Sequence, residues 1–206
     1  MRKAPVLVAV LVAVAVLALT TACDPDDVPV PNESNVDFDT PALREAKRAA
    51  GVADCAPGTG KPVDGGLPAI TLPCLGGGPD VDLSTLRGPL VVSLWAQSCG
   101  PCRTEMPILQ GFYEEYGERV GVLGIDYVDT LPGGAIALMD DTGARYPSVA
   151  DIDGALSAQG PFPVIRGLPY LAFVDADGVV THIRSGDVES ADELEVLVED
   201  HLGIRL

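Results

Sequence analysis

The chain has 206 residues, with 30 acidic side chains against 13 basic ones and a formal net charge of −17. Phosphate binding needs clustered Lys and Arg, so this balance argues against nucleic acid as a partner and reads as a highly solvated surface. With a leader set aside, the length suits one domain with a full core, and the five cysteines become an even number if Cys23 is not a redox thiol.

Residues 1–22 read as a signal peptide: Arg2 and Lys3, an apolar run from Val6 to Leu19, then small residues up to Cys23. Leu19-Thr20-Thr21-Ala22-Cys23 resembles a bacterial lipobox, which would make Cys23 the lipidated first residue of the mature chain, although Thr20 stands where leucine is usual. The alternative is an uncleaved span from Pro5 to Ala22. Both readings place the rest outside the cytoplasm, anchored to the cell membrane. Residues 23–39 are rich in Pro and Asp and read as a flexible acidic tether.

Residues 40–66 form an N-terminal extension. Thr40 is an N-cap, Pro41 suits the first turn, and a short helix through Leu43 and Ala46 stops at Gly51. A Gly- and Pro-rich loop follows Cys55. The main domain is expected over 67–206. Leu67–Cys74 reads as a strand, Gly76-Gly77-Gly78 as a turn and Val81-Asp82-Leu83 as its partner, giving an N-terminal β-hairpin. In an oxidising compartment Cys55 and Cys74 most often form a structural disulfide. The alternative, a second redox pair, has no support in the spacing. Ser84 then caps one helical turn before Gly88.

Leu90-Val91-Val92-Ser93-Leu94 is apolar and β-branched and predicts a buried strand; Met106, Leu109, Phe112, Tyr113 and Tyr116 recur at helical spacing. Between them lies Trp95-Ala96-Gln97-Ser98-Cys99-Gly100-Pro101-Cys102, so both cysteines fall where a strand ends and a helix begins. Free N–H groups and the positive end of the helix dipole favour an anion there, which predicts a Cys99 thiol pKa below about 8.5. Cys102, deeper on the same face, is placed to resolve a mixed disulfide formed on Cys99. A zinc site would need two further ligands, and His182 and His201 are not spaced as a ligand pair. No metal or cofactor is expected.

Pro107 falls inside this helix and predicts a kink. Residues 120–126 read as the next buried strand, parallel to the first through a right-handed crossover. A helix over 132–142, a weak strand over 146–150 and a weak helix over 155–159 follow. Residues 171–175 and 179–183 read as antiparallel strands joined by Ala176-Asp177-Gly178. Ser190 with Glu193 forms a capping box for a last helix that ends at Gly203.

This order predicts an α/β thioredoxin-like fold with the added hairpin. The W-A-x-x-C-x-x-C-R-x-E-x-P run, Leu83–Gly88 before it and Gly167-Leu168-Pro169 after it resemble the TlpA/ResA-like thioredoxins, membrane-anchored thiol–disulfide oxidoreductases of the bacterial envelope. The resemblance covers about Leu67 to Gly203. It implies a cis Pro169 facing the disulfide, with Leu168 pairing its backbone to an extended substrate, and Glu105 as a base for the Cys102 thiol. It places Trp95, Ser98, Gly100 and Pro101 around the docking site. For Pro169 an ordinary strand-start proline, for Glu105 a solvated surface carboxylate and for Trp95 a plain core residue are the alternatives.

Two residues depart from the pattern. Ser98 replaces the usual tryptophan before Cys99, which removes an apolar docking platform. Ser93 stands where cytoplasmic thioredoxins bury an aspartate, which leaves Glu105 as the proton acceptor. Gly100-Pro101 is the dipeptide of thioredoxin, whose potential is about −270 mV, and favours a reductant of exported protein disulfides, apocytochrome c among the family's targets, recharged by a membrane redox partner. An oxidase of secreted proteins and a redox-inactive binding lipoprotein are the alternatives.

Overall fold

The computed structural model describes residues 36–206. The expectations for the signal peptide, the Cys23 lipidation site and most of the tether lie outside them. The tether expected to reach residue 39 ends earlier: Phe38 is buried in the core and Asp39 pairs with Arg44 at 2.6 Å. No helix among the described residues is long and apolar enough to cross a membrane.

Helix α1 spans Pro41–Ala50. Thr40 Oγ1 accepts from Leu43 N at 3.2 Å, and Gly51 closes the helix at φ 69°, a left-handed value that suits glycine. Strands β1 (Thr71–Leu72) and β2 (Val81–Asp82) form a separate antiparallel hairpin. It is shorter than the sequence predicts, because Pro68 and Pro73 flank β1 without ladder donors. Gly76, Gly77 and Gly78 all take positive φ in its turn. The single turn after β2 is a 3₁₀ turn over Leu83–Thr85 capped by Asp82, not by Ser84, because Asp82 Oδ1 accepts from Ser84 N at 3.0 Å.

The main sheet contains β3 (Leu90–Trp95), β4 (Gly121–Tyr127), β5 (Ser148–Asp151), β6 (Tyr170–Val174) and β7 (Val180–Ser185). Its order is β5-β4-β3-β6-β7, with β3, β4 and β5 parallel and β6 and β7 antiparallel to their neighbours. Helix α2 (Gly100–Tyr116) crosses from β3 to β4, α3 (Pro132–Thr142) from β4 to β5, and α4 (Ala191–Leu202) ends the fold. Pro107 sits inside the one continuous α2 helix. Ser190 Oγ caps α4 by accepting from Glu193 N at 3.2 Å, while the Glu193 carboxylate reaches back to Glu189 N.

Alternation along the strands divides the core. Val91, Trp95, Val122, Leu171 and Phe173 pack with Cys102, Met106 and Leu109 of α2, Met139 of α3 and Leu194 of α4. Val92, Leu94, Leu123, Ile125 and Ala172 point the other way, against the hairpin, Cys55 and Phe162. The helix expected over 155–159 is a set of turns. There Asp151 accepts from Ala155 N at 2.8 Å and Leu156 N at 3.0 Å, and Pro161 and Pro163 supply no amides to extend a helical ladder.

Cys55 and Cys74 are bonded, with Cα atoms 5.9 Å apart, and this disulfide ties the N-terminal extension to the hairpin. The Lys47 side chain is buried against it: Nζ lies 3.3 Å from Cys74 Sγ, donates to Gly77 O at 2.9 Å and pairs with Asp54 at 3.1 Å.

Candidate active site

Strand β3 runs through the middle of the sheet and delivers its C-terminal end to a short loop, Ala96–Ser98, before α2 begins. Cys99 occupies the N-cap of α2 and its Sγ accepts from Cys102 N at 3.2 Å. Pro101 stands in the first turn, where a missing amide costs nothing. Cys99 and Cys102 form a disulfide with Cα atoms 5.3 Å apart. Their exposures differ sharply. Cys99 is half-buried, whereas Cys102 is 0% exposed and belongs to the core.

A groove of about 530 Å³ opens over Cys99, lined by Ala96, Ser98, Pro101, Tyr127, Val128, Ile165, Arg166, Gly167 and Leu168. Gly100 is exposed but does not line it. The Leu168–Pro169 peptide is cis, Pro169 is buried, and its carbonyl accepts from Gly186 N at 3.0 Å. Val128 holds φ 53° on the groove wall, a left-handed conformation rarely taken by a β-branched residue. Trp95 corrects an expectation. It is fully buried in the cluster that contains Cys102, so it supports the disulfide from within and offers a substrate no surface. Its place on the helix-covered face of β3 dictates this.

Glu105 lies one turn beyond Cys102 on α2, and it is 1% exposed rather than a solvated surface carboxylate. Its Oε1 accepts from Val188 N at 3.1 Å and its Oε2 from Ser93 Oγ at 3.4 Å. Burial pushes its pKa up to about 7, against the lowering effect of those two bonds. The serine that replaces the aspartate of cytoplasmic thioredoxins is thus a hydrogen-bond donor to the glutamate.

Sequence reasoning missed a second acidic group. Asp126, near the end of β4, is fully buried, and burial together with the Asp129 charge pushes its pKa up to about 9. Asp129 accepts from Gln97 N at 2.9 Å and from Gln97 Nε2 at 3.1 Å, and so holds the loop before Cys99. The signal was present: Asp126 ends the apolar run Val120–Ile125, where a carboxyl has no ready solvent. His182 and His201, far apart in sequence, stack ring on ring at 3.8 Å. Among the described residues no group of three or more His, Cys, Asp or Glu could hold a metal ion.

A helix-capping cysteine, a buried partner three residues on and a cis-proline beside the groove define a thioredoxin-like disulfide-exchange protein. The Redoxin family model matches residues 62–198. The chain is 30% identical over 150 residues to the thiol:disulfide interchange protein DsbE of Allochromatium vinosum, covering 68% of this chain and 78% of that one. It is 29% identical over 125 residues to the thiol-disulfide oxidoreductase ResA of Oceanobacillus iheyensis, covering 58% and 61%. Among solved structures, dsbF of MTB superposes with a TM-score of 0.55 at 26% identity, over 64% of this chain and 94% of that one. A secreted thiol-disulfide isomerase from Corynebacterium glutamicum gives 0.53 at 27% identity, over 66% and 83%. The chain belongs to the Redoxin family and is a thiol–disulfide oxidoreductase of the DsbE/ResA type, in keeping with its TlpA/ResA-like motifs.

Proposed function

We propose that Cys99 and Cys102 are the exchanging pair of an extracytoplasmic reductant. The Cys99 thiolate attacks one sulfur of a partner disulfide, forming a mixed disulfide and expelling the partner's other sulfur, which takes up a proton. Cys102, deprotonated, then attacks Cys99 Sγ and breaks the mixed disulfide. The partner leaves as a dithiol, two electrons richer, and the pair keeps the disulfide. Glu105 accepts the Cys102 proton, a role suited to a carboxyl whose pKa is raised to about 7.

One observation carries this reading: a half-buried Cys99 at a helix N-terminus, bonded to a fully buried Cys102. An incoming disulfide can reach the first sulfur alone. Leu168, held by the cis peptide to buried Pro169, lines the groove over Cys99 together with Ser98 and Pro101, on a side where an extended segment of the partner can lie. The Gly100-Pro101 dipeptide supports electron donation, since thioredoxin, with the same dipeptide, lies at about −270 mV. The TlpA/ResA-like resemblance supports apocytochrome c among the targets and a membrane redox partner that recharges the pair. The leader and Cys23 support a membrane tether, and the Cys55–Cys74 disulfide serves as a staple of the extension.

Cys102→Ala should trap mixed disulfides on Cys99, and Cys99→Ala should abolish exchange. Mass spectrometry of the trapped species reads the direction. Apocytochrome c, or other exported proteins whose cysteines must be reduced, supports the reductant; assorted secreted proteins with native disulfides would make the chain an oxidase. Exchange that survives in Cys99→Ala would overturn the assignment.

A further inference from the structure

The Cys55–Cys74 disulfide is built asymmetrically, and the exchange reaction above makes no use of it. Cys74 Sγ faces the Lys47 ammonium at 3.3 Å, and the Lys47 side chain is only 4% exposed. Cys55 Sγ faces a carbonyl instead: Ser148 O lies 3.2 Å from it, against 3.8 Å from Cys74 Sγ. An ammonium favours a thiolate beside it, whereas a carbonyl oxygen repels a thiolate and accepts an S–H. The backbones differ as well. Cys74 is pinned to β5 by a bridge to Val149, and on either side of it Leu75 N donates to Ser148 O and Ala150 N to Pro73 O, each at 2.9 Å. Cys55 lies in an irregular stretch between exposed Asp54 and exposed Ala56. Both sulfurs are buried, and local opening of that stretch uncovers Cys55 while Cys74 stays in place.

We propose that Cys55–Cys74 is a second exchangeable disulfide, in which Cys55 is the sulfur attacked and Cys74 the leaving thiolate held by Lys47. A thiolate of an incoming dithiol attacks Cys55 Sγ, the Cys55–Cys74 bond breaks, and Cys74 departs as an anion against the ammonium. The second thiol of the reductant gives up its proton and attacks the reductant sulfur of the mixed disulfide. Cys55 leaves and takes up that proton, as an S–H facing Ser148 O. The reductant departs as a disulfide, and the pair gains two electrons. The other charges around Cys74 leave Lys47 its role. Asp54, which pairs with it at 3.1 Å, is 87% exposed and screened by water. Arg44 pairs with Asp39, Arg48 with Glu45, and Arg145, ahead of β5, with Asp140. The Gly76–Gly78 turn and Ser148-Val149 carry no charge. The staple of the extension is thereby reversible, whatever the role of Cys99 and Cys102.

Two measurements on the full chain test this. Carbon-13 NMR of the reduced protein with labelled cysteines should show Cys74 ionising below the free-cysteine value of about 8.5 and Cys55 above it. The two signals are assigned through Cys55→Ser and Cys74→Ser. Both thiols ionising at the free value, or Cys55 before Cys74, would overturn the choice of leaving sulfur, and this readout needs no change at Lys47. The second measurement equilibrates the chain in mixtures of reduced and oxidised dithiothreitol at about pH 8, alkylates the free thiols and maps them by mass spectrometry. Cys55 and Cys74 are thus read apart from Cys99 and Cys102. Half-reduction should come while circular dichroism is still native. Lys47→Met removes the charge and keeps the length of the side chain, and it should need about tenfold more of the reduced form, since each unit of thiol pKa is worth a factor of ten. If Lys47→Met does not fold, the wild-type titrations and the wild-type reduction carry the test. A pair reduced only as the chain unfolds, or at the same ratio in folded Lys47→Met, would overturn the proposal.

Discussion

Glu105 shows how one replacement is absorbed by its neighbours. A serine at position 93 cannot act as a buried base, but its hydroxyl donates to Glu105 one helical turn beyond the cysteines. The carboxyl is thereby kept in the core, and burial lifts it from the ordinary 4.5 to about 7. The folded chain binds this proton more tightly than the unfolded chain, so its contribution to stability is full below the ordinary value and is lost as pH rises through about 7. Glu105→Gln should therefore flatten part of the fall in stability between about pH 5 and about pH 8, read by urea unfolding. The same substitution should remove an inflection near neutrality from the exchange rate; an unchanged profile would take Glu105 out of the reaction.

Elements with self-contained signals were legible in the sequence. The β-branched run of β3, the Thr40 and Ser190 caps and the glycine stops at Gly51 and Gly203 all act within a few residues, and the structure places these elements where local chemistry puts them. The turns over 155–159 were not legible, because Asp151 claims their amides from the preceding strand and the competition is invisible in residue periodicity. The extension from Phe38 to Cys55 is tied to the body by the Cys55–Cys74 disulfide and by buried Lys47. With the cysteines 19 positions apart in sequence, Cys55→Ala with Cys74→Ala should cost about 3 kcal/mol in the chain-entropy account. That corresponds to a fall in Tm of roughly 6–12 °C for a domain of this size, measurable by calorimetry. An unchanged Tm would remove its role as a staple.

At the scale of the whole molecule, the fold uses a mixed five-stranded sheet to present one loop. The cysteine pair and Pro169 could be found in the sequence because strand, C-x-x-C and helix are contiguous and the Gly167-Leu168-Pro169 segment precedes an apolar strand. The groove and the Gln97–Asp129 contact could not be, because they depend on which strand ends lie side by side: parallel pairing of β3 with β4 sets Trp95 beside Asp126 and brings Gln97 to Asp129. Trp95 was misplaced for the same reason, since its motif position does not say which face of the sheet it occupies. What the assembled fold achieves is a difference between two sulfurs, one reachable and set at a helix N-terminus, the other sealed in the core. The most direct test is alkylation of the fully reduced chain with iodoacetamide across a pH series, with the modified cysteines mapped by mass spectrometry. Cys99 should be modified well before Cys102, with a half-maximal rate below the free-cysteine value of about 8.5; reaction of Cys102 first, or of both at the free-cysteine pH, would contradict the account.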